Sequence, residues 1–238
     1  MFLQAIEITD QIMSLLPQGS ELKSFIRHKV QEIQSMLKMH NSALNENLKL
    51  PILNIIFKDL DGFQLTKGYN SSQHDYGEMR SLRDYIDAFA YSKNLKKENA
   101  CFTDLGCGLG KANLVASSIF KAKKSIGIEI IPRLYTMACA GKMLFQSFDN
   151  KRELSIEYFN SDIMQSLQIW KDSDVVYLNC LTWSREVVRE IVKLFDQLKA
   201  GCEVFCTLKI RKNNMKLIKT IEAEMTWGRG RVYLYVLR

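Results

Sequence analysis

The segment Asp104-Leu-Gly-Cys-Gly-Leu-Gly110, followed by Glu129, has the residue types and spacing to hold a ribose-bearing ligand at two successive strand ends. Gly106, Gly108 and Gly110 stand where an apolar run, 100–105, gives way to a helix-like stretch, 111–120. A tight turn there needs residues without a Cβ, both to reach positive φ and to let a ligand approach the backbone. Cys107 sits inside that turn. A second apolar run, 123–129, ends in Glu129, whose carboxylate can accept hydrogen bonds from both ribose hydroxyls. Three glycines alone would mark a loop, and Glu129 alone a solvated strand end. In register, they make 100–129 a βαβ unit with its ligand face at the strand C-termini.

Two more polar residues fall at later strand ends. Asp162 follows an expected strand, 154–159, and can accept from an adenine amino group; it can equally cap a helix over 163–169. Asn179 ends an expected strand, 174–179, where an amide can orient an incoming nucleophile. The glycine spacing separates cofactors. Nicotinamide enzymes space theirs Gly-x-Gly-x-x-Gly, whereas here Lys111 follows the third glycine. The pattern from Asp104 to Gly110 resembles the first motif of the Rossmann-like methyltransferases, which implies S-adenosylmethionine as cofactor and no metal.

The elements that must position these residues follow an α/β order. After Glu129 come a helix over 134–148, the strand 154–159, the strand 174–179, an amphipathic helix over 183–199 ended by Gly201, and a fifth strand, 203–210. The chain then reads as a hairpin, 222–227 and 232–237, the second arm alternating as a half-buried strand. Five parallel strands plus an antiparallel hairpin describe a seven-stranded, mostly parallel Rossmann-like sheet of the class I methyltransferase type. Residues 1–60 carry apolar positions at helical spacing around 6–16 and 25–37, with Pro51 expected in the first turn of a third helix. The expected organisation is a helical N-terminal region, 1–60, and a catalytic domain, 61–238.

Composition narrows the setting. A chain of 238 residues with 47% hydrophobic residues can bury a substantial core. No apolar stretch is long enough for a membrane span, and acids near Met1 argue against a signal peptide, so nuclear or cytoplasmic residence is expected. Six cysteines form no Cys-x-x-Cys pair and accompany only three histidines, against structural zinc. The net charge of +7 suits an anionic partner, although many basic proteins bind nothing acidic. Lys93, Lys96, Lys97, Lys121, Lys123 and Lys124 precede strands, on the edge away from the cofactor, and read as solvated loop ends. Arg211, Lys212, Arg229 and Arg231 follow strands or sit at the hairpin turn, where they can flank the substrate entrance and touch nucleic acid.

Three segments outside the glycine motif resemble the non-SET histone-lysine methyltransferases of the disruptor-of-telomeric-silencing (Dot-one-like) family. Tyr69-Asn70 and Tyr76-Gly-Glu78 are similar to the family's cofactor-covering loop. Val175-Val-Tyr-Leu-Asn179, with Leu181 and Trp183, resembles its strand ending in Asn-Asn-Phe-Ala-Phe. Trp227, Gly228, Val232, Tyr233 and Tyr235 resemble its C-terminal hairpin. The likeness runs from Gly62 to the end of the sequence. Cys180 replaces the second Asn, Leu181 and Trp183 stand at the Phe positions, no long lysine-rich tail is seen, and the hairpin tyrosine is either Tyr233 or Tyr235.

The resemblance implies methylation of a protein lysine, in a core histone or nucleosome, in the nucleus. It implies cofactor contacts from Tyr76, Glu78, Asp104, Gly106, Cys107, Gly108, Gly110, Glu129, Asp162 and Asn179. It places Asn179, Trp183, Trp227 and a tyrosine, Tyr233 or Tyr235, around the incoming lysine. Trp183 can instead simply pack under its helix and Trp227 inside the hairpin. Rival readings are a methyltransferase for another protein or for nucleic acid, weakened by the missing Asp/Asn-Pro-Pro-Tyr motif, and a cofactor-binding protein without catalysis.

Overall fold

A computed structural model describes residues 21–39, 46–60, 76–148 and 155–238. The chain divides into two compact units, residues 1–60 with 139–154, and residues 61–138 with 155–238.

In the first unit, helix α1 (Glu21–Met39) buries Ile26, Val30, Ile33 and Leu37, spaced three or four apart as one face of a 3.6-residue period requires. Helix α2 (Glu46–Phe57) buries Leu48, Ile52, Leu53, Ile56 and Phe57. Pro51 lies inside α2 rather than in its first turn. A proline there forfeits a backbone hydrogen bond and costs about 3 kcal/mol; the apolar residues buried on either side of it offset that. The expected helix over 6–16 lies outside the described residues.

The second unit is built on seven strands in the order β3-β2-β1-β4-β5-β7-β6. They are β1 (Cys101–Leu105), β2 (Lys124–Glu129), β3 (Ile156–Asn160), β4 (Val175–Leu178), β5 (Glu203–Cys206), β6 (Met215–Met225) and β7 (Gly228–Leu237). The first five are mutually parallel, and β7 pairs antiparallel with β5 and β6. The order reverses between β1 and β4, which opens a crevice beyond the strand C-termini at that switch point.

Helices cover both faces. Helix α3 (Leu82–Phe89) starts at a capping box formed by Ser81 and Asp84. On its face of the sheet, the Phe89 ring lies 5.2 Å from Phe102, 5.5 Å from Tyr177 and 5.3 Å from Phe205. Helix α4 (Lys111–Ser118) is buried along its whole length, and Asn113 Nδ2 ties it to β2 through Ile126 O at 2.8 Å. Helix α5 (Pro132–Phe148) begins in this unit and supplies its last residues, from Cys139, to the first. On the opposite face a short helix, α6 (Leu167–Trp170), and α7 (Arg185–Leu194) bury Trp170, Val188 and Ile191 with Leu105, Ile128 and Leu178.

Several boundaries differ from expectation, and the fifth strand, expected over 203–210, ends at Cys206. The helix anticipated over 163–169 shrinks to α6 because Asp162 Oδ1 accepts the Met164 N–H at 2.8 Å and closes a turn. The helix expected over 183–199 stops at Leu194 and gives way to a 3₁₀ turn, Phe195–Gln197. The first hairpin arm begins at Met215, with an irregularity between Leu217 and Lys219.

Candidate active site

The glycine turn owes its shape to three positive φ angles, 79° at Gly106, 53° at Gly108 and 77° at Gly110. The Gly106 and Cys107 N–H groups both donate to Ile128 O, at 2.8 and 2.9 Å, which pins the turn to the end of β2. The Gly108 N–H donates to Glu129 Oε2 and the Ile131 N–H to Glu129 Oε1, each at 2.8 Å. Glu129 is 5% exposed. Burial raises its carboxyl pKa, opposed by the backbone N–H groups that favour the ionised form.

A cavity of about 250 Å³ opens above this turn. Of the residues expected at the site, Tyr76, Gly106, Gly108, Glu129, Asp162, Asn179 and Trp183 line it. At two of these positions a side chain would crowd an aromatic ring. A Cβ on Gly106 would stand 2.6 Å from Trp183 Cζ2, and one on Gly108 would stand 3.1 Å from Tyr76 Cε2. Both aromatic rings therefore close on the backbone of the turn.

Glu129 and Asp162, at the ends of β2 and β3, line the cavity with Ile130, Ile131, Leu134 and Met164. Sequence reading missed those apolar residues; their only signal is that they lie within five residues after one of the two acids. Asn179, Thr182 and Trp183, which follow β4, line it as well. Asn179 Nδ2 donates to Gly77 O at 2.9 Å, so its Oδ1 is left as the acceptor of that amide.

The remaining expected residues stand behind these walls. Glu78 forms a buried ion pair with Lys111 and takes the Thr226 N–H on its carbonyl at 3.0 Å. Gly110 packs beneath Tyr158, and Cys107 is 6% exposed within the turn. Asp104 faces the α3 side of the sheet, paired with Tyr177 across β1 and β4. Burial, with the charges of Glu129 and Glu78, holds its carboxyl well above the usual carboxylate range. Asp104 Oδ1 and Tyr177 Oη are buried without a hydrogen-bond partner among the described residues.

The hairpin residues divide in the same way. Trp227 is 46% exposed and lies against Gly77, where any side chain would collide with its ring. Tyr235 stands opposite Val204 in the core, its Oη accepting the Ile210 N–H at 2.8 Å. Tyr233 stands opposite Cys206, the last residue of β5, and so lies nearer the strand ends. Neither tyrosine lines the cavity, nor does Trp227. Tyr69 and Asn70 lie outside the described residues. Among the basic residues, Lys212 pairs with Asp196 at 2.7 Å and Arg229 with Glu224 at 3.3 Å, while Arg211 and Arg231 are exposed.

A five-stranded parallel sheet with an antiparallel hairpin, and a glycine turn and acid at successive strand ends, define a Rossmann-like class I methyltransferase fold. The fold is similar to that of M. capricolum TrmK in complex with S-adenosyl-homocysteine, at a TM-score of 0.50 and 11% identity, over 68% of this chain and 70% of that one. The chain belongs to the histone methylation protein DOT1 family, whose model matches residues 56–235. It is 28% identical over 178 residues to a histone-lysine N-methyltransferase, H3 lysine-79 specific, of Candida glabrata, covering 70% of this chain and 26% of that protein. It is 23% identical over 158 residues to the Caenorhabditis elegans protein of the same description, covering 57% of this chain and 17% of that one. The chain thus spans about a quarter or less of the length of these relatives.

Proposed function

We propose that this protein is an S-adenosylmethionine-dependent protein-lysine N-methyltransferase that acts on a core histone in the nucleosome, with residues 61–238 as its catalytic domain. The observation that carries the reading is that one cavity is lined by Glu129 and Asp162, at the ends of β2 and β3, and by Asn179, which follows β4 on the other side of β1.

The residues fit the cofactor. A carboxylate has about four acceptor sites, so two backbone N–H bonds leave Glu129 capacity for the ribose hydroxyls. Asp162 suits the adenine amino group, and Ile130, Ile131 and Met164 suit the adenine faces. Gly106 and Gly108 leave room where a Cβ would meet Trp183 or Tyr76. When bound, S-adenosylmethionine supplies an electrophilic methyl on a sulfonium.

The chain's own residues then have three tasks. Asn179, held through Nδ2 by Gly77 O, presents Oδ1 to an N–H of the incoming lysine amine and so directs its lone pair. Trp183 supplies an apolar wall that disfavours the ammonium. This matters because a lysine at its reference pKa loses its proton at pH 7 at a cost of about 4–5 kcal/mol. Tyr76 and Trp183 keep water from the turn. Trp227 and Tyr233 border the lysine's approach from the hairpin, and Arg211 and Arg231, exposed with Arg229 near the hairpin and β5, are the residues we would test for contact with nucleosomal DNA.

The histone assignment draws on the family and on the relatives' descriptions. It implies a nuclear role, and no helix among the described residues is long and apolar enough to cross a membrane. The test offers labelled cofactor with intact nucleosomes, free histones, a cell lysate and RNA in parallel. Label in histone on the nucleosome supports the proposal; label confined to non-histone protein or to RNA contradicts it.

A further inference from the structure

Residues 76–78 form a strap that crosses the cavity wall and is tied to four separate elements. Asn179 at the end of β4 holds Gly77 O at 2.9 Å. The hairpin holds Glu78, whose carbonyl accepts the Thr226 N–H at 3.0 Å, while Met79 bridges to Met225 and Trp227 covers Gly77. The Tyr76 ring rests on Gly108 of the glycine turn. The fourth tie is ionic. Lys111, the first residue of α4, reaches back to the Glu78 carboxylate, and the two side chains are only 10% and 9% exposed.

Position makes this pair unusual. Two of the ties, to Asn179 and to Trp227, pull on Gly77, and neither reaches the glycine turn. Tyr76 approaches the turn at Gly108 through its ring. Lys111 directly follows Gly110, so its ammonium couples the strap to the same turn whose backbone lines the cavity. The pair is also poorly screened. Glu78 lies in a buried cluster with Asp104, Glu129, Tyr76, Tyr85 and Tyr177, all of which respond to its charge or share a neighbour with it. Removing one member of a buried ion pair leaves the other charge uncompensated. Glu78 would then lose its buried counter-ion, and the strap that carries Tyr76 would lose its register on Gly108.

We infer that Lys111 is a positioning residue that fixes the Tyr76-Gly77-Glu78 strap against the glycine turn through Glu78 and thereby sets cofactor affinity. The inference rests on the cofactor reading proposed above. Lys111 does not line the cavity and is given no contact with the reacting atoms. Its effect therefore falls on binding rather than on the chemical step.

Titration of S-adenosyl-homocysteine into the purified full chain by calorimetry, with thermal melting and steady-state kinetics alongside, tests this. Lys111→Met and the polar Lys111→Gln are each expected to weaken product binding by about tenfold or more and to raise the KM for S-adenosylmethionine in parallel. Their kcat at saturation should stay within about threefold of the wild type, and Lys111→Arg should restore affinity to within about threefold. If Lys111→Met does not fold, Lys111→Gln decides. Unchanged affinity in a folded neutral variant overturns the inference, as does a fall in kcat alone or failure of Lys111→Arg to rescue. Wild-type protein that binds no S-adenosyl-homocysteine would instead overturn the cofactor reading itself.

Discussion

Asn179 Nδ2 and the Gly77 carbonyl oxygen meet at 2.9 Å across 102 residues of sequence, joining the end of β4 to the strap at the cavity wall. One amide thus ties the strap with its nitrogen, and its oxygen is the group proposed to accept an N–H of the incoming lysine. Asn179→Ala removes both roles and should lower kcat by about 10²-fold, the scale of a misplaced reactant. Asn179→Asp should do at least as badly, because a carboxylate would face the Gly77 carbonyl without a donor between them. Steady-state methyl transfer and cofactor binding check this; activity within a few-fold of wild type would remove Asn179 from the reaction.

Gly106 and Trp183 are sterically linked. Gly106→Ala adds a Cβ 2.6 Å from Trp183 Cζ2 at a residue whose φ is 79°. The left-handed backbone costs an L residue about 1–2 kcal/mol, and the indole must also move. Cofactor affinity should fall by about tenfold. The double variant Gly106→Ala/Trp183→Ala should recover part of the melting temperature and none of the activity, a non-additivity that a thermal melt series would detect.

Burial gives the site a pH signature. The Asp104 carboxyl is raised well above the ordinary range, so the folded protein holds this proton more tightly than the unfolded chain. Its contribution to stability is then fully present below the unfolded pKa of about 4 and is lost as pH rises through the folded value. Asp104→Asn should melt higher than wild type at neutral pH, with the difference vanishing near about pH 4. Parallel melting profiles for the two proteins would contradict this. Glu129 is raised in the same sense, and ribose hydroxyls favour its ionised form. Product affinity should therefore strengthen as pH rises through the Glu129 value.

Glu203 provides a control away from the cavity. At 4% exposure, its carboxylate accepts the Ser92 hydroxyl and the N–H groups of Lys93 and Asn94, the last two at 3.1 and 3.2 Å. Glu203→Ala strands these donors and should cost about 3 kcal/mol, a drop of roughly 6–12 °C in Tm for a chain of this size. Below the new melting temperature its kcat should match wild type, in contrast to Asn179→Ala.

The unit from β1 to β2 was legible in the sequence because its signals are local. Gly106, Gly108 and Gly110 mark one turn, and Glu129 closes one apolar run. What escaped depends on tertiary partners. Pro51 reads as a helix start, yet burial of Ile52, Leu53 and Ile56 carries α2 through it. The first half of β6 hides its period because Leu217, Ile218 and Lys219 at the sheet edge are all exposed around an irregular register. Glu78 reads as a cofactor contact within Tyr76-Gly-Glu78, and only the fold brings Lys111 to it. The two hairpin tyrosines share a strand face at a spacing of two, so the sequence does not choose between them; the pairing with β5 sets Tyr233 against Cys206 and Tyr235 against Val204.

The central claim is methyl transfer to a histone lysine from a cofactor held by Glu129. The most direct measurement is peptide mass spectrometry of nucleosomes incubated with S-adenosylmethionine and either wild type or Glu129→Ala. The account expects a methyl mass on a lysine side chain of a core histone with wild type, and its near-complete loss with the variant. Unmodified histone lysines with wild type, or equal modification by both proteins, would contradict it.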